Sequence, residues 1–136
     1  PALAEGKTVI SDRYADATFA YQGAGRGFAE EKVNQVIELA TGGLKPDLTL
    51  FFDITVEEAV NRMAARDENH TKKNRMDEET AEFYTRVRNA YLGIAKLEPQ
   101  RLRIIDAMGS MNEIHAQVLD IVEKFLKDQR ENYVSS

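Results

Sequence analysis

Asp12-Arg13-Tyr14-Ala15-Asp16-Ala17-Thr18-Phe19-Ala20-Tyr21-Gln22-Gly23-Ala24-Gly25-Arg26-Gly27 directly follows a short apolar run, Thr8-Val9-Ile10-Ser11. A run rich in β-branched residues that ends in Asp-Arg reads as a buried strand over residues 7 to 11. Its carboxyl end would deliver an acid and a base into a crevice, where open α/β sheets hold their ligands. The residues that follow supply an anion binder (Arg13), aromatic rings (Tyr14, Phe19, Tyr21), an amide that both donates and accepts (Gln22), and a second guanidinium (Arg26) between glycines. That inventory suits a small, flat, phosphorylated ligand.

Upstream, Pro1-Ala2-Leu3-Ala4-Glu5-Gly6 reads as the last turn of a helix closed by Gly6, and the start at Pro1 suggests that something preceding it has been lost. Downstream, residues 14 to 24 lean toward a helix ending near Gly23, because Ala17, Ala20 and Tyr21 share a face. From Phe28 to Ala40 a helix carries Val33, Val36, Ile37 and Ala40 as its apolar stripe, and Gly42-Gly43 ends it. Leu48-Thr49-Leu50-Phe51-Phe52-Asp53 is a nearly continuous apolar run, expected to be a strand buried on both faces.

Thr55 and Glu58 form a capping box opening a helix to about Arg66, with Ala59, Val60 and Met63 inward. From Arg66 to Arg75 no residue is apolar, so burial cannot offset the entropy of ordering this segment, and mobility is expected there. A long helix from about 77 to 97 follows, buried through Phe83, Val87, Tyr91 and Ile94. Leu102-Arg103-Ile104-Ile105-Asp106 is the third strand, and Ser110 and Glu113 make a second capping box. The last helix buries Ile114, Val118, Ile121, Val122 and Phe125 and is expected to fray after about Lys127. Strands alternating with helices argue for an α/β fold with a parallel sheet.

A chain of 136 residues with 43% hydrophobic residues suits one domain, and a formal charge of -5 argues against nonspecific nucleic-acid binding, which needs a basic field. A nucleotide needs only a few local cations and stays open. No cysteine is present, so disulfides and thiolate zinc sites are excluded, and His70 and His115 show no metal-site spacing. No apolar run is long enough to cross a bilayer as a helix and no secretion signal occurs, so a cytoplasmic location is expected and no membrane partner.

Asp12-Arg13-Tyr14, Ala20-Tyr21-Gln22-Gly23 and Gly25-Arg26-Gly27 together resemble the signature of thymidylate kinases. The resemblance implies transfer of the γ-phosphoryl group of ATP, with Mg²⁺, to dTMP in nucleotide biosynthesis. It also implies a three-layer, five-stranded parallel sheet of the nucleoside monophosphate kinase type. The family carries a phosphate-binding loop near its N-terminus, and Gly-x-x-x-x-Gly-Lys-Ser/Thr occurs nowhere in this sequence. The chain is therefore expected to be a C-terminal fragment, an incomplete kinase domain over 1–136, inactive by itself, with the missing N-terminal segment as a partner and a homodimer as the intact state. The alternative is a noncatalytic, truncated nucleotide-binding α/β module.

Arg13 after a strand end is either a structural salt-bridge partner or a phosphate clamp, and the resemblance favours the clamp. Asp12 orients Arg13 or acts through magnesium-bound water. Tyr14, Phe19 and Tyr21 could all be core residues, but a ring stacks on a pyrimidine and an amide pairs with its edge. The resemblance accordingly assigns Tyr21 and Gln22 to the base pocket and Thr18 to a neighbouring hydroxyl, with Ala17 where the family has Ser; Arg26, between two glycines, is either a solvent-facing residue at a helix terminus or a contact to the monophosphate region. Arg66 and Arg75, with Lys72 and Lys73, could be a solvated charged loop. The resemblance makes residues 66–76 a lid, with Arg66 near adenine and Arg75 at the transferring phosphoryl group. Asp106-Ala107-Met108-Gly109 is either an ordinary turn or, by the resemblance, the loop beside adenine. Asp53, at a strand end, braces or caps and is assigned no chemistry.

Overall fold

The computed structural model describes residues 2–67 and 80–134, which fall into two compact units, Pro1–Lys45 and Pro46–Ser136.

The first unit begins with a turn in which Gly6 N–H donates to the carbonyl of Leu3 at 2.9 Å, and Gly6 adopts φ 72°, as a helix-closing glycine should. Residues 7 to 11, expected as a buried strand, are not one: Val9 is 55% and Ile10 93% exposed. A strand exists only where a neighbour completes its hydrogen-bond ladder, and no described residue pairs with this segment. A short helix α1, Ala15–Thr18, passes into a π-helix, Phe19–Gly25, in place of one α-helix to Gly23. Helix α2, Glu30–Thr41, closes at Gly42 with φ 62°. On α2, Val33 is buried and Ile37 half-buried, while Val36 and Ala40, expected inward, are exposed.

The second unit is built on β1, Thr49–Asp53, and β2, Leu102–Asp106, paired in parallel with Phe51 opposite Ile104 and Asp53 opposite Asp106. Among the described residues the sheet has two strands, fewer than the sequence led one to expect. Helix α3 spans Val56–Asp67, α4 Ala81–Leu97 and α5 Met111–Val134. Leu102 and Ile105 are three apart on a strand and so face opposite ways, yet both are fully buried. Helices α4 and α5 both pack on β2, which accounts for this. Phe51 stacks on Tyr91 of α4 with ring centroids 4.4 Å apart. Phe52, by contrast, is 49% exposed, so β1 is not buried on both faces.

The caps at Thr55 and Ser110 lie where the sequence put them, and that of α4 falls at Thr80, later than the expected start near residue 77. Thr55 accepts from the N–H of Glu58, though the Glu58 carboxylate turns to Arg62 instead of closing a full box. Ser110 and Glu113 make the complete reciprocal box. Thr80 caps α4 by accepting from the N–H of Phe83. Helix α5 continues to Val134, past the expected fraying point, with a pair of i,i+4 contacts, Lys124 to Asp120 and Lys127 to Glu131, along its exposed side.

Candidate functional site

In the first unit the expected site residues lie between Asp12 and Arg26, and one of them, Arg13, occupies a strained backbone position. Arg13 has φ 64°, the positive value among described non-glycine residues, a conformation that costs an L-residue roughly 1–2 kcal/mol. The Ser11 hydroxyl donates to the Arg13 carbonyl at 3.0 Å and helps to hold the bend. That bend carries the guanidinium over the Tyr21 ring, 5.0 Å from its centroid. Asp12 beside it is exposed.

Tyr21 and Gln22 lie on the π-helix, where Arg26 N–H reaches back to the Tyr21 carbonyl at 3.0 Å, five residues away. π-Turns occur mostly as single insertions and frequently at functional sites. The Gln22 side-chain carbonyl accepts from Arg26 at 3.4 Å. The structure thus pairs Arg13 with Tyr21 and Gln22 with Arg26. Thr18 stands exposed at the last position of α1, and Ala17 is buried at 8% exposure.

In the second unit the chemistry-bearing groups collect where β1 and β2 end. Asp53 and Asp106 are in register, and two like charges opposite each other are unfavourable unless each is engaged. Arg88 of α4 takes Asp53 with both arms, at 2.6 and 2.8 Å, and Asp53 raises the Arg88 pKa. Asp106 accepts the N–H of Met108 at 2.9 Å, turning the chain. Ala107 N–H donates to the Asp53 carbonyl at 2.9 Å, and the Ala107 carbonyl accepts from Arg62 of α3 at 3.1 Å. Gln117 of α5 donates to the carbonyl of Asp106 and accepts its N–H, both at 3.0 Å, acting as a one-residue substitute for a neighbouring strand. Ala107 is buried and Met108 half exposed at 50%. The Glu113 carboxylate accepts from both the hydroxyl and the N–H of Ser110, bonds that hold its pKa below the ordinary carboxylate value.

Arg62, Arg88 and Gln117 escaped the sequence reading. The Glu58–Arg62 spacing on α3 was a visible signal, but the contact to Ala107 spans 45 residues. The Asp53–Arg88 pair spans 35 and carries no periodic mark. Arg66 lies on α3 with its side chain outside the described set, and Arg75, Lys72, Lys73 and most of the expected lid, 66–76, lie outside the described residues. Among the described residues no group of three or more His, Asp or Glu side chains converges as a metal cage, and no helix is long and apolar enough to cross a membrane.

Comparison with known proteins bears on the whole chain. The Thymidylate kinase family matches residues 1–118. The chain is 46% identical over 125 residues to a thymidylate kinase of Methylobacillus flagellatus, covering 92% of this chain and 60% of that protein. It is 42% identical over 130 residues to one of Pseudomonas syringae pv. tomato, covering 96% and 60%. The crystal structure of a thymidylate kinase from Ehrlichia chaffeensis superposes with a TM-score of 0.61 at 30% identity, covering 89% of this chain and 52% of that one. The chain spans about 60% of the length of the curated relatives it matches.

These matches correct four expectations. Because the family match runs from residue 1 to 118, the description as a thymidylate kinase lacking its phosphate-loop portion is withdrawn. The α/β nucleotide-kinase relationship stands, without the designation of C-terminal fragment. The expectation of an inactive fragment falls with it, as does a missing N-terminal segment counted as a partner.

Proposed function

The chain belongs to the thymidylate kinase family, and on that footing we propose that it transfers the γ-phosphoryl group of ATP to dTMP, giving ADP and dTDP for nucleotide biosynthesis in the cytoplasm. The observation that carries the acceptor side is the strained Arg13 held over Tyr21, beside Gln22 on a π-helix.

Arg13 holds the 5′-phosphate of dTMP with its fork of donors. The Tyr21 ring stacks on thymine, and Gln22, which can donate and accept, pairs with the N3–H and carbonyl edge. The guanidinium lies over the ring and Arg26 engages the Gln22 side-chain carbonyl. Thr18 and Arg26 flank the site.

On the donor side, the Ala107-Met108 loop lies beside the adenine of ATP, with Arg66 near it and Arg75 acting on the transferring group. Mg²⁺ arrives with ATP as part of the substrate and neutralises phosphate charge, needing few protein carboxylates of its own; Asp12, exposed beside Arg13, fits a water-mediated contact. Phosphoryl transfer depends chiefly on positioning and charge stabilisation, which this set of arginines suits.

A coupled assay of ADP formation from ATP and dTMP, with thymidine and dCMP as competing acceptors, tests the reading. Turnover proportional to protein and selective for dTMP is expected. Equal rates with and without dTMP would show ATP hydrolysis alone and overturn the assignment.

A further inference from the structure

We propose that Arg62 is a positioning residue for the donor nucleotide, acting through the Ala107-Met108 loop; the inference rests on the donor-side reading above. The Arg62 guanidinium divides its arms between two elements. Nε donates to Glu58 one turn back on α3 at 2.6 Å, and Nη2 donates to the Ala107 carbonyl at 3.1 Å. A helix-surface ion pair alone would need only the first contact.

The second contact completes the immobilisation of one peptide unit. The N–H of Ala107 is held by the Asp53 carbonyl of β1, and its carbonyl by Arg62 of α3. The preceding residue is held by Gln117 of α5, and the Asp106 carboxylate takes the following N–H, that of Met108. The path from Asp106 to Met108 is thus fixed by three elements at once, and Arg62 supplies the contact from α3.

Arg62 is itself 47% exposed in its side chain, so its removal should cost the fold little. A misplacement of the Ala107 carbonyl would instead be felt by a ligand lying on the loop. Glu58 orients the guanidinium and limits its alternative rotamers. This separation of a small stability effect from a ligand effect is what distinguishes a positioning role from a merely structural one.

Calorimetric titration of ATP and, separately, dTMP into the full chain and into Arg62→Ala, Arg62→Gln and Arg62→Lys, with a thermal melt of each, tests the proposal. Arg62→Ala is expected to weaken ATP by a few-fold to about tenfold, the range for one charge-assisted hydrogen bond on a partly exposed group, and to leave dTMP unchanged. Arg62→Gln, which keeps an N–H donor, should recover part of the loss; if Arg62→Ala fails to fold, the Gln and Lys variants carry the comparison. Unchanged ATP affinity in every variant overturns the proposal, as does parallel weakening of both ligands with a lowered melting temperature. A wild-type chain that binds dTMP but not ATP overturns the donor-side reading itself, and the role of Arg62 falls with it.

Discussion

Arg88 grips Asp53 with both arms of its guanidinium, at 2.6 and 2.8 Å, at the point where Asp53 stands in register with Asp106 across the two strands. The pair joins α4 to the end of β1 and neutralises one of two carboxylates that would otherwise repel. Arg88→Ala leaves a half-buried Asp53 without this partner and should destabilise the protein by about 1–2 kcal/mol, a charged hydrogen-bond value reduced for solvent exposure. Arg88→Lys should recover little, because an ammonium cannot reproduce the fork. Urea denaturation of the two variants checks this, and an unchanged midpoint for Arg88→Ala would mean the fork adds nothing to stability.

The backbone strain at Arg13 separates stability from binding. Relative to Arg13→Ala, Arg13→Gly should be more stable by about 1 kcal/mol, since glycine accepts a positive φ without penalty. Both should weaken dTMP more than thymidine, by about 1.5–3 kcal/mol in the difference, because the phosphate distinguishes the two ligands. Melts and calorimetric titrations read the two effects independently. Equal loss for dTMP and thymidine would remove the phosphate-clamp role.

Ala17→Ser tests whether the family hydroxyl can simply be restored. Ala17 is 8% exposed, so a serine there must place its hydroxyl within packed structure. A loss of roughly 1 kcal/mol is expected if the hydroxyl finds no full partner. Preference for dTMP over dCMP should stay within twofold or so, as judged by competitive titration. A sharp gain in thymine preference would show that the hydroxyl reaches the base after all.

The Ser110–Glu113 box makes the start of α5 sensitive to acid. Hydrogen bonds from Ser110 depress the Glu113 pKa, so the ionised form is favoured in the folded protein. Its contribution is complete above the ordinary carboxylate pKa and is lost as pH falls through the lower folded value. Protection of the Ser110 amide, taken relative to its intrinsic exchange rate at each pH, should therefore fall on acidification, and Glu113→Gln should flatten that dependence. Gly109→Ala should mimic acid at neutral pH, because an added Cβ would lie 2.9 Å from Glu113 Oε2. Protection at Ser110 indifferent to both changes would show that the box does not hold the helix start.

Much of this protein was legible in residue order alone. The helix caps at Thr55 and Ser110, the closing glycines at 6 and 42, and the apolar runs that became β1 and β2 all lie where the sequence put them, because each is decided by sterics and hydrogen bonds within a few residues. The family resemblance carried by Asp12 to Gly27 was equally readable, since its residue types are unusual in combination. Tertiary structure decided the rest. Thr8-Val9-Ile10-Ser11 has strand composition and no strand, because a ladder requires a neighbour that no local propensity can supply. Tyr21 and Gln22 ride on a π-helix that their helical spacing did not announce. Arg88 on Asp53 and Arg62 on Ala107 join residues 35 and 45 apart, and such pairs form only once packing brings their elements together; periodicity records which face of a helix is buried, not which distant partner that face will meet.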